Sequence, residues 1–167
     1  KEEFEIPSEA QGVEGSSIYL KSGELYSVED LLYGLMLRSG NDSAEALALH
    51  TAGSIEKFCF LMNETAQKAG ALKSYFKNPH GLPCDEHYTT ARDLTLISCY
   101  AMQNPEFKKI VATKYYRPRG WANKNKMLKN YSGGIGIKTG YTQKAGRCLV
   151  SAAEREGMTL ICTVLNC

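Results

Sequence analysis

Hydrophobic and polar positions along the chain follow a helical spacing first and a strand-like alternation later. Residues 1–26 are turn-rich and extended, with one short strand predicted at 18–20. Ser27 and Asp30 then form a capping-box pattern, followed by apolar residues at helical spacing. Similar start and stop signals predict further helices at 44–52, 54–70 and 90–104, the last ending at Asn104-Pro105.

The remaining third of the chain has the alternation and turn residues of strands. Strands are predicted at 111–116, 136–140, 147–153 and 158–165, the last two joined as a hairpin across 154–157. Helices followed by strands are typical of the α+β class. We therefore predict a single domain with a helical lobe at about 27–112 and a strand region at about 113–167. No apolar run approaches the ~20 residues of a membrane-spanning helix.

Charge is distributed unevenly, although the formal net charge is only +2. Residues 1–106 hold 8 Lys/Arg and 16 Asp/Glu, whereas residues 107–153 hold 11 Lys/Arg and no acid. Such a basic segment is either a solvated face or a surface for an anionic partner. The six cysteines form no C-x-x-C pair, which favours reduced, mostly core cysteines over a disulfide framework.

Two short motifs carry candidate chemistry. Ser39-Gly40-Asn41 lies in a break between two predicted helices, and Lys138-Thr139-Gly140 lies at the end of a predicted strand. The first pattern is common by chance in a chain of this length, and the second is uncommon. The glycine after Lys138-Thr139 lets another backbone approach the strand closely.

These motifs resemble the second and third signatures of the penicillin-binding and serine β-lactamase superfamily, whose first signature is S-x-x-K. The surrounding segments resemble the low-molecular-mass D-alanyl-D-alanine carboxypeptidases, in the family's order, over nearly the whole chain. These segments are 32–42, 78–82, 88–94, 104–107 and 137–142. The resemblance implies a partial β-lactamase/transpeptidase-like fold and a serine-type hydrolase that needs no cofactor.

The family's reaction implies roles for three of these side chains. A serine is acylated by the penultimate D-Ala of a peptidoglycan stem peptide, terminal D-Ala leaves, and water hydrolyses the acyl-enzyme. By resemblance, Ser39 helps to pass a proton to the leaving amine, and the Asn41 amide holds the substrate backbone and the base lysine. Lys138 supplies positive charge at the substrate carboxylate, and β-lactams are expected at the same site.

Four further residues are implied as substrate contacts. Thr139 can donate its hydroxyl to the substrate carboxylate, and Gly140 leaves room for a peptide along the strand edge. The backbone N–H of Tyr141 is the expected half of an oxyanion hole. Lys124 matches a basic residue that lies close to the active site in the family.

The family's S-x-x-K normally lies tens of residues before S-x-N, but none occurs among the 38 residues before Ser39. The two matches in the chain, at Ser54 and Ser74, come later and are predicted to be a helix cap and a turn neighbour. We therefore expect an internal fragment that is inactive alone, completed by a missing N-terminal segment or a second copy. The family's setting implies work outside the cytoplasmic membrane.

Other functions are weaker alternatives. His80, Cys84, Asp85 and His87 cluster, but their spacing matches no paired zinc motif, so no metal site is predicted. The aromatic and basic residues of 115–129 suggest a nucleic-acid surface, which the low net charge disfavours. A non-catalytic peptidoglycan-binding module is the main alternative. A β-lactamase is disfavoured by Ser-Gly-Asn in place of Ser-Asp-Asn.

Overall fold

Side-chain caps begin three helices where the sequence predicts them. Ser27, Ser54 and Thr90 each accept a hydrogen bond, through the side-chain oxygen, from the backbone N–H three residues further on. The computed structural model describes residues 2–167. Its α-helices are α1 Val28–Tyr33, α2 Asn41–Ala52, α3 Ile55–Lys68, α4 Ala91–Ala101, α5 Pro105–Ala112 and α6 Met127–Asn130. None of the helices in this range is long and apolar enough to cross a membrane.

The strands form three antiparallel sheets. The strands are β1 Glu3–Glu5, β2 Leu25–Ser27, β3 Tyr115–Tyr116, β4 Trp121–Ala122, β5 Gly134–Thr142, β6 Gly146–Arg155 and β7 Met158–Val164. The two small sheets pair β1 with β2 and β3 with β4, and the main sheet has the order β5-β6-β7. The hairpin predicted across 154–157 is present, because Arg155 pairs with Met158. The predicted α+β class is confirmed.

Two of the strand predictions are wrong, because one strand is absent and the other is much shorter than predicted. Residues 18–20 form no strand, because the backbone N–H groups of Ile18 and Leu20 donate to a buried carboxylate rather than to a neighbouring strand. The strand predicted at 111–116 is reduced to β3. Its first residues belong to α5, which begins because the Asn104 side chain accepts from two backbone N–H groups with Pro105 in the first turn.

Three groups of buried apolar side chains form the core. The first joins the N-terminal segment to α1 and α2 through Ile6, Leu20, Leu31 and Leu47. The second contains Tyr33, Leu37, Ile110 and Tyr116, and the third contains Val111, Ile137, Val150 and Ala152. Helix α5 contributes adjacent residues to the second and third groups, so it fixes the helical part of the chain against β5.

Candidate active site

The Ser-Gly-Asn segment is a sharp break between a helical turn and α2. One π-helical turn, Gly34–Arg38, follows α1 and ends at Ser39, which has left-handed backbone angles (φ 60°, ψ 38°). A Cβ atom on Gly40 would lie 2.9 Å from the side-chain oxygens of Asp42 and Ser43, so only glycine fits there without displacement. Helix α2 then begins at Asn41. Ser39 therefore stands outside the regular helices, with its hydroxyl available to the sheet.

A loop of the N-terminal segment holds the start of α2. The Asn41 side-chain amide donates to the carbonyl of Glu14 at 2.6 Å, and the Asn41 backbone N–H donates to the carbonyl of Ser16 at 2.7 Å. The next residue, Asp42, is completely buried. Its carboxylate accepts from the Ser17 hydroxyl at 2.6 Å and from the N–H groups of Ile18 and Leu20, each at 3.1 Å.

Lys138 brings the main sheet to Ser39. It lies on β5 opposite Val150, and its ammonium donates to the Ser39 hydroxyl and to the Thr139 carbonyl, the latter at 2.9 Å. Burial lowers the pKa of Lys138 to about 8, and the nearby cation of Lys124 adds to this effect. The two predicted site residues, 99 positions apart in the sequence, are thus in direct contact.

Lys124 approaches the same place from the segment before α6. Its backbone N–H donates to the Leu37 carbonyl at 3.2 Å, and its ammonium donates to the Ser16 hydroxyl at 3.3 Å. Burial and then the charge of Arg38 lower the pKa of Lys124. The preceding Asn123 anchors the segment through a side-chain bond to the Thr113 carbonyl at 3.0 Å.

Thr139, Gly140 and Tyr141 continue β5 beyond Lys138. Gly140 pairs with Cys148 across the ladder to β6, and Tyr141 pairs with Arg147. Because β5 is the first strand of the sheet order, the other edge of these residues is not paired within the sheet. An extended peptide could add to this edge as a further strand.

The two later S-x-x-K serines serve local structure. The Ser54 hydroxyl caps α3 by accepting from the Lys57 N–H at 3.2 Å. The Ser74 hydroxyl lies 2.7 Å from the hydroxyl of Thr89 and donates to a carboxylate oxygen of Asp93 at 2.7 Å. Both hydroxyls are therefore engaged in their own segments.

The histidines and aromatic residues of the alternative interpretations have other contacts. His80 lies 3.2 Å from Glu45, and a ring nitrogen of His87 accepts from the Lys77 N–H at 3.0 Å. In residues 2–167 no three His, Cys, Asp or Glu side chains are grouped closely enough to hold a metal ion. Tyr116 is buried and stacks on Tyr33 with ring centroids 3.9 Å apart, so its ring is part of the core.

Sequence reasoning missed Asp42, Arg38 and Ser16. The sequence did give one indication of Asp42. A charged residue at the start of an apolar helix must either be exposed to solvent or have hydrogen-bonding partners. Nothing local marked Ser16, because its position depends on contacts with Asn41 and Lys124, or Arg38, whose charge acts on the distant Lys124.

The site combines a hydroxyl at a helix start with a lysine on an open sheet edge, and these groups belong to the motifs S-x-N and K-T-G. Together these features define the class of penicillin-interacting serine peptidases. Within that class, the family model described as D-alanyl-D-alanine carboxypeptidase, peptidase family S11, matches residues 4–167, and the chain belongs to this family. The resemblance seen in the motifs is thereby confirmed.

Curated relatives and solved structures agree with this assignment. The D-alanyl-D-alanine carboxypeptidase of Streptomyces sp. strain K15 is 39% identical over 90% of this chain and 58% of its own length. DacF of Bacillus subtilis is 35% identical over 94% of this chain and 42% of its own length. The Mycobacterium tuberculosis carboxypeptidase structure superposes with a TM-score of 0.90 at 32% identity, covering 98% of this chain and 65% of that one. The chain thus spans about half the length of these curated relatives.

Proposed function

We propose that the chain provides the S-x-N and K-T-G parts of a serine-type D-Ala-D-Ala carboxypeptidase, which removes terminal D-Ala from peptidoglycan stem peptides. The contact between the Ser39 hydroxyl and the Lys138 ammonium carries the proposal. It supports the proposal because a hydroxyl suited to proton relay lies beside a cation suited to binding a carboxylate, at the open edge of β5.

Substrate binding follows from the charges and hydrogen-bonding groups of the site. The terminal carboxylate of the stem peptide lies against the Lys138 ammonium and the Thr139 hydroxyl, because a charge-assisted hydrogen bond is strongest in a partly desolvated site. The peptide extends along β5 beside Gly140, and the Tyr141 N–H points at the carbonyl that reacts. The Asn41 amide, fixed by Glu14, holds the substrate backbone from the other side.

The chemical step needs a serine from an S-x-x-K segment that is not among residues 1–167. The base lysine of S-x-x-K takes the proton of that serine, the serine oxygen bonds to the carbonyl carbon of the penultimate D-Ala, and the C–N bond to terminal D-Ala breaks. Ser39 gives its proton to the leaving amine and regains one from the base lysine of S-x-x-K. Water then hydrolyses the ester. The missing segment comes from the rest of a longer chain or from a separate polypeptide.

The setting and inhibitors follow from this substrate. Peptidoglycan lies outside the cytoplasmic membrane, so the site works on that side. β-Lactams carry a carboxylate next to a reactive carbonyl and would use the same cation and strand edge, Lys138 and β5.

Binding of acetyl-D-Ala-D-Ala to the 167-residue chain, followed by NMR titration, tests the substrate site. We expect saturable shifts at Ser39 and in β5, much weaker binding of acetyl-L-Ala-L-Ala, and loss of binding in Lys138→Ala. Lys144→Ala is the matched control, because Lys144 is exposed in the turn between β5 and β6. Equal binding by Lys138→Ala and Lys144→Ala would refute the proposed site.

A second experiment tests the source of the nucleophile. Intact-protein mass spectrometry of the pure chain with a penicillin should show no covalent adduct, and the chain should release no D-Ala from the peptide. An adduct on Ser39, Ser54 or Ser74 would contradict the proposal that the nucleophile lies outside these residues.

A further inference from the structure

His80 is a largely buried histidine whose two ring nitrogens have different partners. Nδ1 accepts a hydrogen bond from the backbone N–H of Leu82 at 3.2 Å. Nε2 lies 3.2 Å from a carboxylate oxygen of Glu45, and the side chains of His80 and Glu45 are only 9% and 20% exposed. A backbone N–H donates and an ionised carboxylate accepts, so the arrangement fits a neutral ring with its proton on Nε2.

Leu82 belongs to a short loop, residues 78–82, in which two side chains hold its backbone groups. The Asn78 amide donates to the Leu82 carbonyl at 2.8 Å, and His80 accepts from the Leu82 N–H. Residues 81 and 83–86 around it are exposed. Because so little of this segment is buried, the position of Leu82 depends strongly on these two hydrogen bonds.

The Leu82 side chain lies close to the Asn41 amide. A Cβ atom on Gly15 would lie 2.7 Å from the Asn41 amide nitrogen and 3.8 Å from a methyl carbon of Leu82. Leu82 and Asn41 therefore border the same point of the N-terminal loop. Glu45, which faces the other nitrogen of His80, lies on α2 one helical turn after Asn41. The His80 ring thus connects Leu82 to the helix that carries the Asn41 amide.

Protonation of His80 breaks this arrangement. A charged ring has a proton on both nitrogens, so Nδ1 can no longer accept from the Leu82 N–H. Burial lowers the pKa of His80 from its ordinary 6.5, and Glu45 opposes this shift, so the ring is neutral at pH 7.5. His87 follows the loop, and burial and then the charge of His80 lower the pKa of His87. Acidification below pH 6.5 therefore charges the His80 ring and removes its bond to Leu82.

We propose that His80 is a positioning residue for substrate binding: the neutral ring keeps Leu82 beside Asn41, and protonation of the ring releases Leu82 and weakens binding of the peptide. An apolar side chain beside a hydrogen bond limits the access of water and thereby strengthens the bond. This inference rests on the proposed function, in which the Asn41 amide holds the substrate backbone.

The charges that bind the substrate carboxylate respond to acid in the opposite direction. The pKa of Lys138 is about 8, so lowering the pH from 7.5 only increases its positive charge. The peptide carboxylate, with a pKa of about 3.5, stays ionised down to about pH 5. Binding through Lys138 alone would therefore strengthen slightly as the pH falls, and a weakening identifies the contribution of His80.

NMR titration of the 167-residue chain with acetyl-D-Ala-D-Ala, at several pH values from about 7.5 to about 5, tests this role. We expect Kd to rise about fivefold as the ring becomes charged, the size of one lost hydrogen bond. The rise should share its midpoint with the titration of the His80 ring, and the Leu82 amide resonance should shift with it. At the highest pH, the ring nitrogen resonances should show a proton on Nε2 alone.

Two replacements separate the roles of the ring nitrogens. The side-chain oxygen of asparagine can take the place of Nδ1, so His80→Asn should bind within about twofold of wild type and lose the pH dependence. Glutamine extends toward Glu45 and leaves the Leu82 N–H without its acceptor, so His80→Gln should bind about fivefold more weakly throughout. His87→Asn is the matched control, because a ring nitrogen of His87 accepts from Lys77 instead, and this variant should keep the wild-type pH dependence.

The outcomes separate this inference from the proposed function. A wild-type Kd that stays constant or falls as the His80 ring becomes charged overturns the inference, as does His80→Asn with the wild-type pH dependence. The proposed function still stands in either case if binding at pH 7.5 requires Lys138. Absence of binding at pH 7.5 overturns the proposed mode of binding and this inference together. Thermal unfolding at both ends of the pH range verifies the fold of each variant, and the wild-type titration decides the matter even where a variant does not fold.

Discussion

Replacing Lys138 by methionine should stabilise the chain while removing a charge that the site needs. Burial and the nearby Lys124 lower the pKa of Lys138 from 10.5 to about 8. At about 1.36 kcal/mol per pH unit, keeping this lysine protonated in the folded chain at pH 7 costs about 3 kcal/mol. Methionine occupies similar space without charge but loses the bonds to Ser39 and Thr139, at about 1 kcal/mol or less each. We expect a net gain of about 1–2 kcal/mol.

The sign of the pH dependence gives the sharper test. Between pH 8 and 10.5 the unfolded chain binds more protons at Lys138 than the folded chain, so wild-type stability rises with pH across that window. The advantage of Lys138→Met over wild type should therefore shrink by about 2–3 kcal/mol from pH 7 to pH 10. Other titrating groups contribute equally to both proteins.

Urea unfolding in reducing buffer at the two pH values measures this difference. Lys144→Met, which replaces an exposed lysine in the β5–β6 turn, should differ from wild type by the same small amount at both pH values. The reasoning is refuted if the difference between Lys138→Met and wild type is the same at pH 7 and pH 10.

Two further predictions concern the loop that holds α2. Asp42→Ala should cost about 3–4 kcal/mol in urea unfolding, because it leaves several buried donors unpaired, whereas exposed Asp85→Ala should cost less than about 0.5 kcal/mol. Gly15→Ala should weaken acetyl-D-Ala-D-Ala binding about tenfold in NMR titrations, since its Cβ would lie 2.7 Å from the Asn41 amide nitrogen. Gly12→Ala is the control, because Gly12 has a similar positive φ but a Cβ atom there would meet no atom within 4 Å. Equal affinities of the two glycine variants for the peptide would contradict this role of Asn41.

Local signals account for the parts of the fold that the sequence predicts well. The helix caps at Ser27, Ser54 and Thr90 depend on a few adjacent residues, and so does the turn that ends in Gly157. The missed helix α5 shows the limit of such signals. An Asn-Pro pair ends one helix and can equally begin another. Whether a second helix forms after it depends on whether Ile110 and Val111 can pack against other buried apolar side chains.

The site could be predicted only in part for the same reason. The motifs identified Ser39 and Lys138, but no local pattern shows that residues 99 positions apart are in contact. That expectation came from the resemblance to a family. The role of Ser16 arises from tertiary contacts with Asn41 and with Lys124, which spacing along the chain does not reveal.

The contact between Ser39 and Lys138 also joins the helical part of the chain to the sheet. A ligand that binds both residues binds only the folded chain, and it therefore shifts the folding equilibrium by mass action. At a concentration of about a hundred times Kd, that stabilisation is about 2.7 kcal/mol, or roughly 5–10 °C in Tm for a chain of this size. The melting temperature thus reports substrate recognition directly, even where no bond in the substrate is broken.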